Sequence, residues 1–280
     1  MSRARIERTE ATLGAIVTGV RLAALDEADW HAIEDAFHEA GVLIFPGQHL
    51  ESPDQVAFAS RFGEIEHLFG TSGIVPISNR NRDGTFLEED SGPMQILRGN
   101  EGWHTDSSYM PLAAKASMLS ADVVPASGGE TEWADMRAAF DALDDATRER
   151  IAKLSAHHSL RYSQSRIGDT KEFGYGFHDG PVPVRSLVKV HPVTGRRSLF
   201  IGRHAYGIPG LAADESERLL EGLLDFACRS PRVLQHRWQP GDVAIWDNRC
   251  LLHRARPYDP MQPRALRHTR IAGDPTTEAA

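Results

Sequence analysis

The chain has 280 residues, is 41% hydrophobic and carries a formal charge of −8 at pH 7. That acidic balance argues against wrapping nucleic acid or lying on an anionic membrane, and no run approaches the ~18 apolar residues of a membrane span. The two cysteines, Cys228 and Cys250, are too few for a disulfide scaffold or a thiolate zinc site.

A large soluble globular chain remains, with thirteen histidines to explain. A cytoplasmic setting fits, because MSRARIERTE has charge but no apolar stretch behind it and is not expected to be a signal peptide.

Taken in order, Ala15 to Val20 alternates as a short strand does. Trp30, Ile33, Phe37 and Ala40 repeat at three-to-four spacing, which predicts a helix with Asp26 or Asp29 as cap and Gly41 as stop. Val42 to Phe45 is a compact apolar strand ended by Pro46-Gly47. Ser52-Pro53 reads as a helix start, a hydroxyl cap then a proline in the first turn, with the helix running to about Phe62. Ile74 to Ile77 reads as a strand. Residues 79–102 are polar, glycine-rich and mostly aperiodic, the pattern of a flexible active-site loop.

Lys115 to Val124 is β-like, and Gly128-Gly129 is a turn. Asp135 is the candidate cap of a helix holding Met136, Ala139, Phe140 and Leu143, and a further helix is expected around Ala146 to Leu154; residues 135–183 read as an inserted region. Leu187 to Val190 and Leu199 to Ile201 flank HPVTGRR as a hairpin. Leu219, Leu220, Leu223, Leu224 and Phe226 mark a helix with Asp214 as candidate cap. Val243 to Trp246 and residues 265–271 read as strands, and 272–280 as a frayed tail. Short strands spread over the whole chain, without a βαβ rhythm or a glycine fingerprint, point to a single mainly β domain over residues 1–280. Its expected architecture is a double-sheet barrel with inserted helices.

The sharpest local feature is Gly102-Trp103-His104-Thr105-Asp106. On extended backbone, residues i and i+2 point the same way, so the His104 imidazole and the Asp106 carboxylate can converge on one ion. His253, in WDNRCLLHRA, is the candidate third ligand. Two histidines and one carboxylate leave three positions open, the arrangement of non-haem Fe(II) oxygenases; zinc accepts the same ligands, more often in a denser set such as HExxH, which is absent. Downstream, Arg264, His268 and Arg270 fall on one face of the predicted strand and suit organic anions, because the planar guanidinium fork matches a carboxylate. Residues 185–270 hold fourteen arginines and one lysine against eight acids, so the acidic average conceals a basic segment.

With these residues in view, the chain resembles the Fe(II)/2-oxoglutarate-dependent dioxygenases of the taurine dioxygenase and 2,4-dichlorophenoxyacetate dioxygenase group. The resemblance spans nearly the whole chain, through ATLGAIVTGVRL, VLIFPGQHL, FASRFGEIE, GWHTDSSYMP, VVPASGGETEWADMRAAFDAL, HSLRYSQS, IGRHAYGIPG, WDNRCLLHR and RALRHTRIAGD. Within the group it looks most like the aryloxyalkanoate dioxygenases, in particular those acting on (S)-2-phenoxypropionates.

The resemblance implies a distorted double-stranded β-helix, the jelly-roll or cupin-like fold. It also implies His104, Asp106 and His253 as iron ligands, and Arg264 with Thr131 at the distal carboxylate of the cosubstrate 2-oxoglutarate, with Trp133 close to it. His67, Leu68, Phe69, Ser107, Tyr109 and Met110 would border the substrate, with Ile74 a further candidate wall. One departure stands out: where taurine dioxygenase has a sulfonate-binding arginine, this chain has His268, followed by Arg270. Arg270, His268 and Arg98 are therefore the candidates to meet a substrate carboxylate, with Arg270 ranked first by strand phase.

The implied partners are a small organic acid, 2-oxoglutarate and O2, and a homo-oligomer is left open. The implied reaction hydroxylates the carbon between ether oxygen and carboxylate, releasing a phenol and a 2-oxo acid with succinate and CO2. The alternatives are a sulfonate or alkyl sulfate ester dioxygenase of the same group, and a non-catalytic cupin-like binding protein.

Overall fold

The computed structural model describes residues 3–67, 72–168, 178 and 180–280. In chain order its strands are β1 (Arg5–Arg8), β2 (Ala15–Thr18), β3 (Val42–Phe45), β4 (Val75–Ser78), β5 (Ala116–Val123), β6 (Thr131–Asp135), β7 (Ser155–His158), β8 (Val184–Ser186), β9 (Val188–Val190), β10 (Arg197–Leu199), β11 (Ala205–Tyr206), β12 (Val233–His236), β13 (Val243–Asp247), β14 (Leu251–Ala255) and β15 (Ala265–Ile271). Its helices are α1 (Glu27–Ala40), α2 (Ser52–Ser60), α3 (Gly92–Gly99), α4 (Met136–Asp141), α5 (Asp145–Ile151), α6 (Leu160–Ser165) and α7 (Ala213–Ala227).

Side-chain alternation decides the layers. The seven-stranded sheet runs β1-β2-β3-β13-β5-β15-β4, and a three-stranded sheet runs β12-β6-β14. In the large sheet Leu43, Phe45, Met118, Val243 and Ile245 pack on one side with Trp30, Ile33 and Phe37 of α1 and Phe58 of α2. Their neighbours Val42, Ile44, Leu119, Ala244, Trp246 and Leu266 point to the other side and meet Trp133 and Leu251 of the small sheet. Trp133 and Trp246, two of the three tryptophans in this core, have ring centroids 5.8 Å apart. The small sheet turns Ala134 and Leu252 outward against Met136 and Phe140 of α4 and Leu220 and Leu223 of α7. Each strand thus serves two layers because its period is two. The fold is mainly β with inserted helices, a double-stranded β-helix of the jelly-roll type. Among the described residues no helix is long and apolar enough to cross a membrane.

Several expectations shift. Asp26, not Asp29, caps α1, accepting from the Asp29 amide at 2.9 Å. α2 stops at Ser60 rather than Phe62, and Ser52 is its first residue, behind Glu51. Asp214 lies in the first turn of α7, after Ala212. Residues 79–102 are not wholly a loop, because Ser91 caps α3 within them. The frayed tail is instead docked: Glu278 is 3% exposed, its carbonyl accepting from the Ala113 amide and from Arg185.

Candidate active site

The small sheet supplies one histidine and a bridging segment supplies the other. His253 sits on β14, opposite Trp133 of β6. The backbone of His104 pairs with it directly: the His104 amide donates to the His253 carbonyl at 3.0 Å, and the His253 amide donates back at 2.7 Å. That pairing sets the two imidazoles side by side, centroids 4.1 Å apart. Asp106, two residues on, projects the same way, and Ser107 (φ 54°) then turns the chain in the left-handed region that few non-glycine residues adopt. The ligand atoms of His104, Asp106 and His253 lie within 4.8 Å of one another, all buried.

The protonation states are those a divalent cation needs. Burial pushes the His104 imidazole down to about 4, against the opposing pull of Asp106, so it is neutral at pH 7. Its Nδ1 lies 2.7 Å from the Gly102 carbonyl; a carbonyl only accepts, so Nδ1 carries the proton and Nε2 keeps its lone pair for a metal. Burial likewise lowers His253 well below the usual imidazole range. Burial would raise Asp106, but Arg270 above all outweighs it and holds the carboxyl well below the usual carboxylate range. Two neutral imidazoles and one carboxylate fit Fe(II).

Among the described residues a second set with the same composition comes together, His38, His191 and Asp247. It is built differently. Arg249 grips Asp247 with Nε at 2.8 Å and Nη2 at 2.6 Å, and His191 Nε2 lies 2.9 Å from the same carboxylate. Two backbone amides donate to His191 Nδ1, so its proton is on Nε2 and directed at Asp247. The carboxylate is already neutralised, and the cluster reads as a structural network.

Between the two sheets, beside the triad, lies a cavity of ≈ 260 Å³. Of the expected residues, Tyr109, Thr131, Arg264, His268 and Arg270 line it with the three ligands. Arg264 is 4% exposed, and its Nη2 donates to the Gly129 carbonyl at 3.0 Å. Thr131 is fixed by the Trp238 indole, which donates to its hydroxyl at 2.9 Å. His268 Nε2 lies 3.6 Å from Asp106. Arg270 lies 3.4 Å from Asp106 Oδ1 and 3.9 Å from Glu66, and donates to Ser107 Oγ at 3.1 Å, so it is engaged by acids of the protein itself.

Other expected residues lie off the cavity. Trp133 is fully buried in the core between the sheets. Met110 presents its carbonyl to Arg185 at 2.7 Å, Ser107 turns its hydroxyl to Glu66, His67 is exposed, and Arg98 pairs with Glu89 at 2.6 Å. Ile74 gives way to Val75 and Ile77. Leu68 and Phe69 lie outside the described residues.

The residues missed from sequence are Arg203 and His204, in IGRHAYGIPG, and the apolar Pro93, Ile96 and Leu97 of α3, which also line the cavity. Arg203 Nη2 donates to the Ser163 carbonyl at 2.9 Å and to Gln164 Oε1 at 2.7 Å, both neutral acceptors. Burial lowers it to about 10, so it remains a cation at pH 7. Among the described residues no carboxylate pairs with it. A half-buried cation without a counterion is poorly compensated unless a ligand supplies one.

Known proteins agree with this geometry. A family described as "Taurine catabolism dioxygenase TauD, TfdA family" matches residues 5–270. An (S)-phenoxypropionate/alpha-ketoglutarate-dioxygenase of Sphingobium herbicidovorans is 54% identical over 279 residues, covering 97% of this chain and 96% of that protein. One from Delftia acidovorans is 53% identical over 285 residues, covering 99% and 97%. A crystal structure of AAD-2 in complex with Mn(II) and N-oxalylglycine superposes with a TM-score of 0.91 at 37% identity, covering 99% of this chain and 98% of the other. With the motifs, the two-sheet fold and the His-Asp-His cluster in agreement, the chain belongs to the taurine catabolism dioxygenase TauD, TfdA family.

Proposed function

We propose that the protein is an Fe(II)- and 2-oxoglutarate-dependent dioxygenase acting on an aryloxyalkanoate, an (S)-2-phenoxypropionate, and releasing a phenol and a 2-oxo acid with succinate and CO2. One observation carries the reading: a single cavity joins the His-Asp-His triad to two arginines with separate neighbours, the buried Arg264 and the half-buried Arg203, and to an apolar wall from β4 and α3. Two organic anions and one aromatic ring match that lining. At ≈ 260 Å³ the cavity lies just below the ~300–1,000 Å³ usual for small-molecule sites, which favours compact ligands. The two relatives at 53–54% identity, named for (S)-phenoxypropionate, support the same substrate.

Bound Fe(II) would supply O2 activation coupled to oxidative decarboxylation of 2-oxoglutarate. His104, Asp106 and His253 would hold it and leave three positions open. Arg264 and Thr131 would hold the distal carboxylate of 2-oxoglutarate, away from the metal. Arg203, rather than the already paired Arg270, would meet the substrate carboxylate, as a guanidinium fork can do bidentately. Ile77, Ile96 and Leu97 would take the ring and exclude water. His67, with Leu68 and Phe69, is retained as a candidate border. Hydroxylation at the carbon bearing both ether oxygen and carboxylate gives a hemiketal that collapses to phenol and 2-oxo acid, pyruvate for a phenoxypropionate.

The test is a succinate- and phenol-release screen over (R)- and (S)-phenoxypropionates, phenoxyacetate, taurine and alkyl sulfates. Phenol and succinate in equal amounts from the (S) acid is the expected result. Sulfite or sulfate release in its place would establish the sulfonate or sulfate ester reading, which the lack of an arginine at position 268 disfavours. No turnover, and no visible charge-transfer band on adding Fe(II) and 2-oxoglutarate without oxygen, would leave a non-catalytic binding protein.

A further inference from the structure

Asp106 is held by a chain of hydrogen bonds whose direction can be derived. Ser117 Oγ lies 2.6 Å from Asp106 Oδ2, and Asn248 Nδ2 lies 2.9 Å from Ser117 Oγ. Asn248 Oδ1 in turn faces the Trp246 indole N–H at 3.1 Å, the Asp106 backbone N–H at 3.4 Å and the Thr105 hydroxyl at 3.3 Å. An indole and a backbone amide can only donate, so the Asn248 oxygen must face them and its NH2 must face Ser117. Ser117 therefore accepts from Asn248 and has its own proton free to point at Asp106. The residues are rigidly placed: Ser117 is fully buried on β5, paired across to Trp246 of β13 and Arg270 of β15, and Asn248 is 2% exposed. Arg270 approaches the other oxygen, Oδ1, at 3.4 Å. Donors thus hold both oxygens and fix the plane of the carboxylate.

We propose that Asn248 and Ser117 are positioning residues for the metal: their one-way hydrogen-bond chain sets the orientation in which Asp106 meets the ion. The proposal rests on the metal reading of the His104, Asp106 and His253 cluster. Residues that orient metal ligands typically contribute about 10–100-fold to metal affinity. The chain's direction gives a sharper consequence than its presence. Asn248→Asp keeps the acceptor that Trp246 and the Asp106 amide require, but replaces the donor facing Ser117 with a second acceptor. The Ser117 hydroxyl would then turn to residue 248 and abandon Asp106, although Ser117 itself is unchanged.

The experiment is anaerobic titration of the full-length wild type, Ser117→Ala and Asn248→Asp with Fe(II) and with Co(II), following affinity and the visible absorption of the Co(II) form, with circular dichroism as the check of folding. Both variants are expected to stay folded, bind each ion about 10–100-fold more weakly and shift the Co(II) spectrum. Wild-type affinity and an unchanged Co(II) spectrum in folded Ser117→Ala would overturn the proposal, and the same result in Asn248→Asp would overturn the directional chain. A variant that does not fold is replaced by Ser117→Cys, whose weaker donor is expected to lower affinity in the same direction; an unchanged affinity there also overturns it. A wild type that binds neither ion overturns the metal reading and this proposal with it, which separates the two failures.

Discussion

At the scale of single residues, the buried Arg264 and the half-buried Arg203 are placed to divide the labour between two acids. Arg264 rests against Gly129 and beneath the Tyr258 ring, whereas Arg203 rests on Ser163 and Gln164, so neither shares a neighbour with the other. A charge-assisted hydrogen bond is worth about 1.5–3 kcal/mol, which corresponds to roughly 10–150-fold in affinity. Arg264→Ala is therefore expected to raise the KM for 2-oxoglutarate by about that factor while leaving the KM for the aryloxy acid nearly unchanged, and Arg203→Ala should do the reverse; steady-state kinetics with each substrate varied in turn checks the pair. An Arg203→Ala enzyme with an unchanged KM for the acid would return the role to Arg270. A third residue, His158, matters for stability. It is 1% exposed, neither ring nitrogen has a hydrogen-bond partner among the described residues, and burial, then Arg185 and Lys189, push it down to about 3. Its folded value lies below the unfolded one, so the unfolded chain takes up the proton first and stability falls as pH drops below about 6.5. Between pH 6.5 and 5 the loss is on the order of 2 kcal/mol. His158→Phe should flatten that part of the profile, measured by urea unfolding of the metal-free protein at several pH values.

At the scale of elements, α3 shows what a sequence does and does not reveal. β3 and β15 are found where the sequence places them, β3 as a compact apolar run buried on both faces and β15 from the alternation of its side chains. The His104–Asp106 pair is equally legible, since its geometry is local. α3 is not, because eight residues bounded by Gly92-Pro93 and Gly99 hold too few turns for a period to emerge. Its apolar side chains face the cavity rather than a core, which makes them look unpaired in sequence. A signal was nonetheless present: Ser91-Gly92-Pro93 repeats the hydroxyl-and-proline start read at Ser52-Pro53, and Ser91 does cap the helix. The small-sheet strands β6, β12 and β14 escaped because their partners are distant in the chain, and Arg203 escaped because only tertiary packing removes its counterions. Gly99 ties helix and arginine together: a Cβ there would lie 2.5 Å from Arg203 Nη1 and 2.6 Å from Gln164 Oε1. Both are ends of flexible side chains, and alanine is intrinsically better than glycine in a helix by up to about 1 kcal/mol. Gly99→Ala is thus expected to leave the melting temperature within a few degrees of wild type yet raise the KM for the aryloxy acid severalfold, by displacing the guanidinium. Calorimetry beside steady-state kinetics separates the two effects, and an unchanged KM would mean that Arg203 can move without consequence.

At the scale of the whole molecule, residues 278–280 contact the segment that follows His104 and Asp106. Arg185, 2% exposed, forms no ion pair among the described residues and donates to main-chain carbonyls instead: Ser108 at 2.7 Å, Met110 at 2.7 Å and Glu278 at 2.9 Å. Glu278 also accepts from the Ala113 amide, and the Ala280 amide donates to Pro111. One buried cation therefore fastens the described C-terminal residues to residues 108–113, directly after Asp106 and Ser107. Hydrophobic patterning cannot announce such a clip, because its acceptors are backbone groups that every residue possesses, and polar, proline-containing residues at a chain end look like a solvated tail. Deleting residues 278–280 removes three of these hydrogen bonds and the bond from the Asp274 amide to Glu278. At about 1 kcal/mol net for each, partly offset by water, the loss is about 3 kcal/mol. For a domain of this size that lowers Tm by about 5 °C. The clip borders the metal ligands, and a displacement of ~1 Å can cost on the order of 100-fold in rate. The truncated chain should therefore also lose turnover at temperatures where it remains folded. Scanning calorimetry and succinate release measured well below the lowered Tm test both halves: a fall in Tm alone would make the tail a stabilising clasp, and a fall in both would make it part of the frame that holds Asp106 in place.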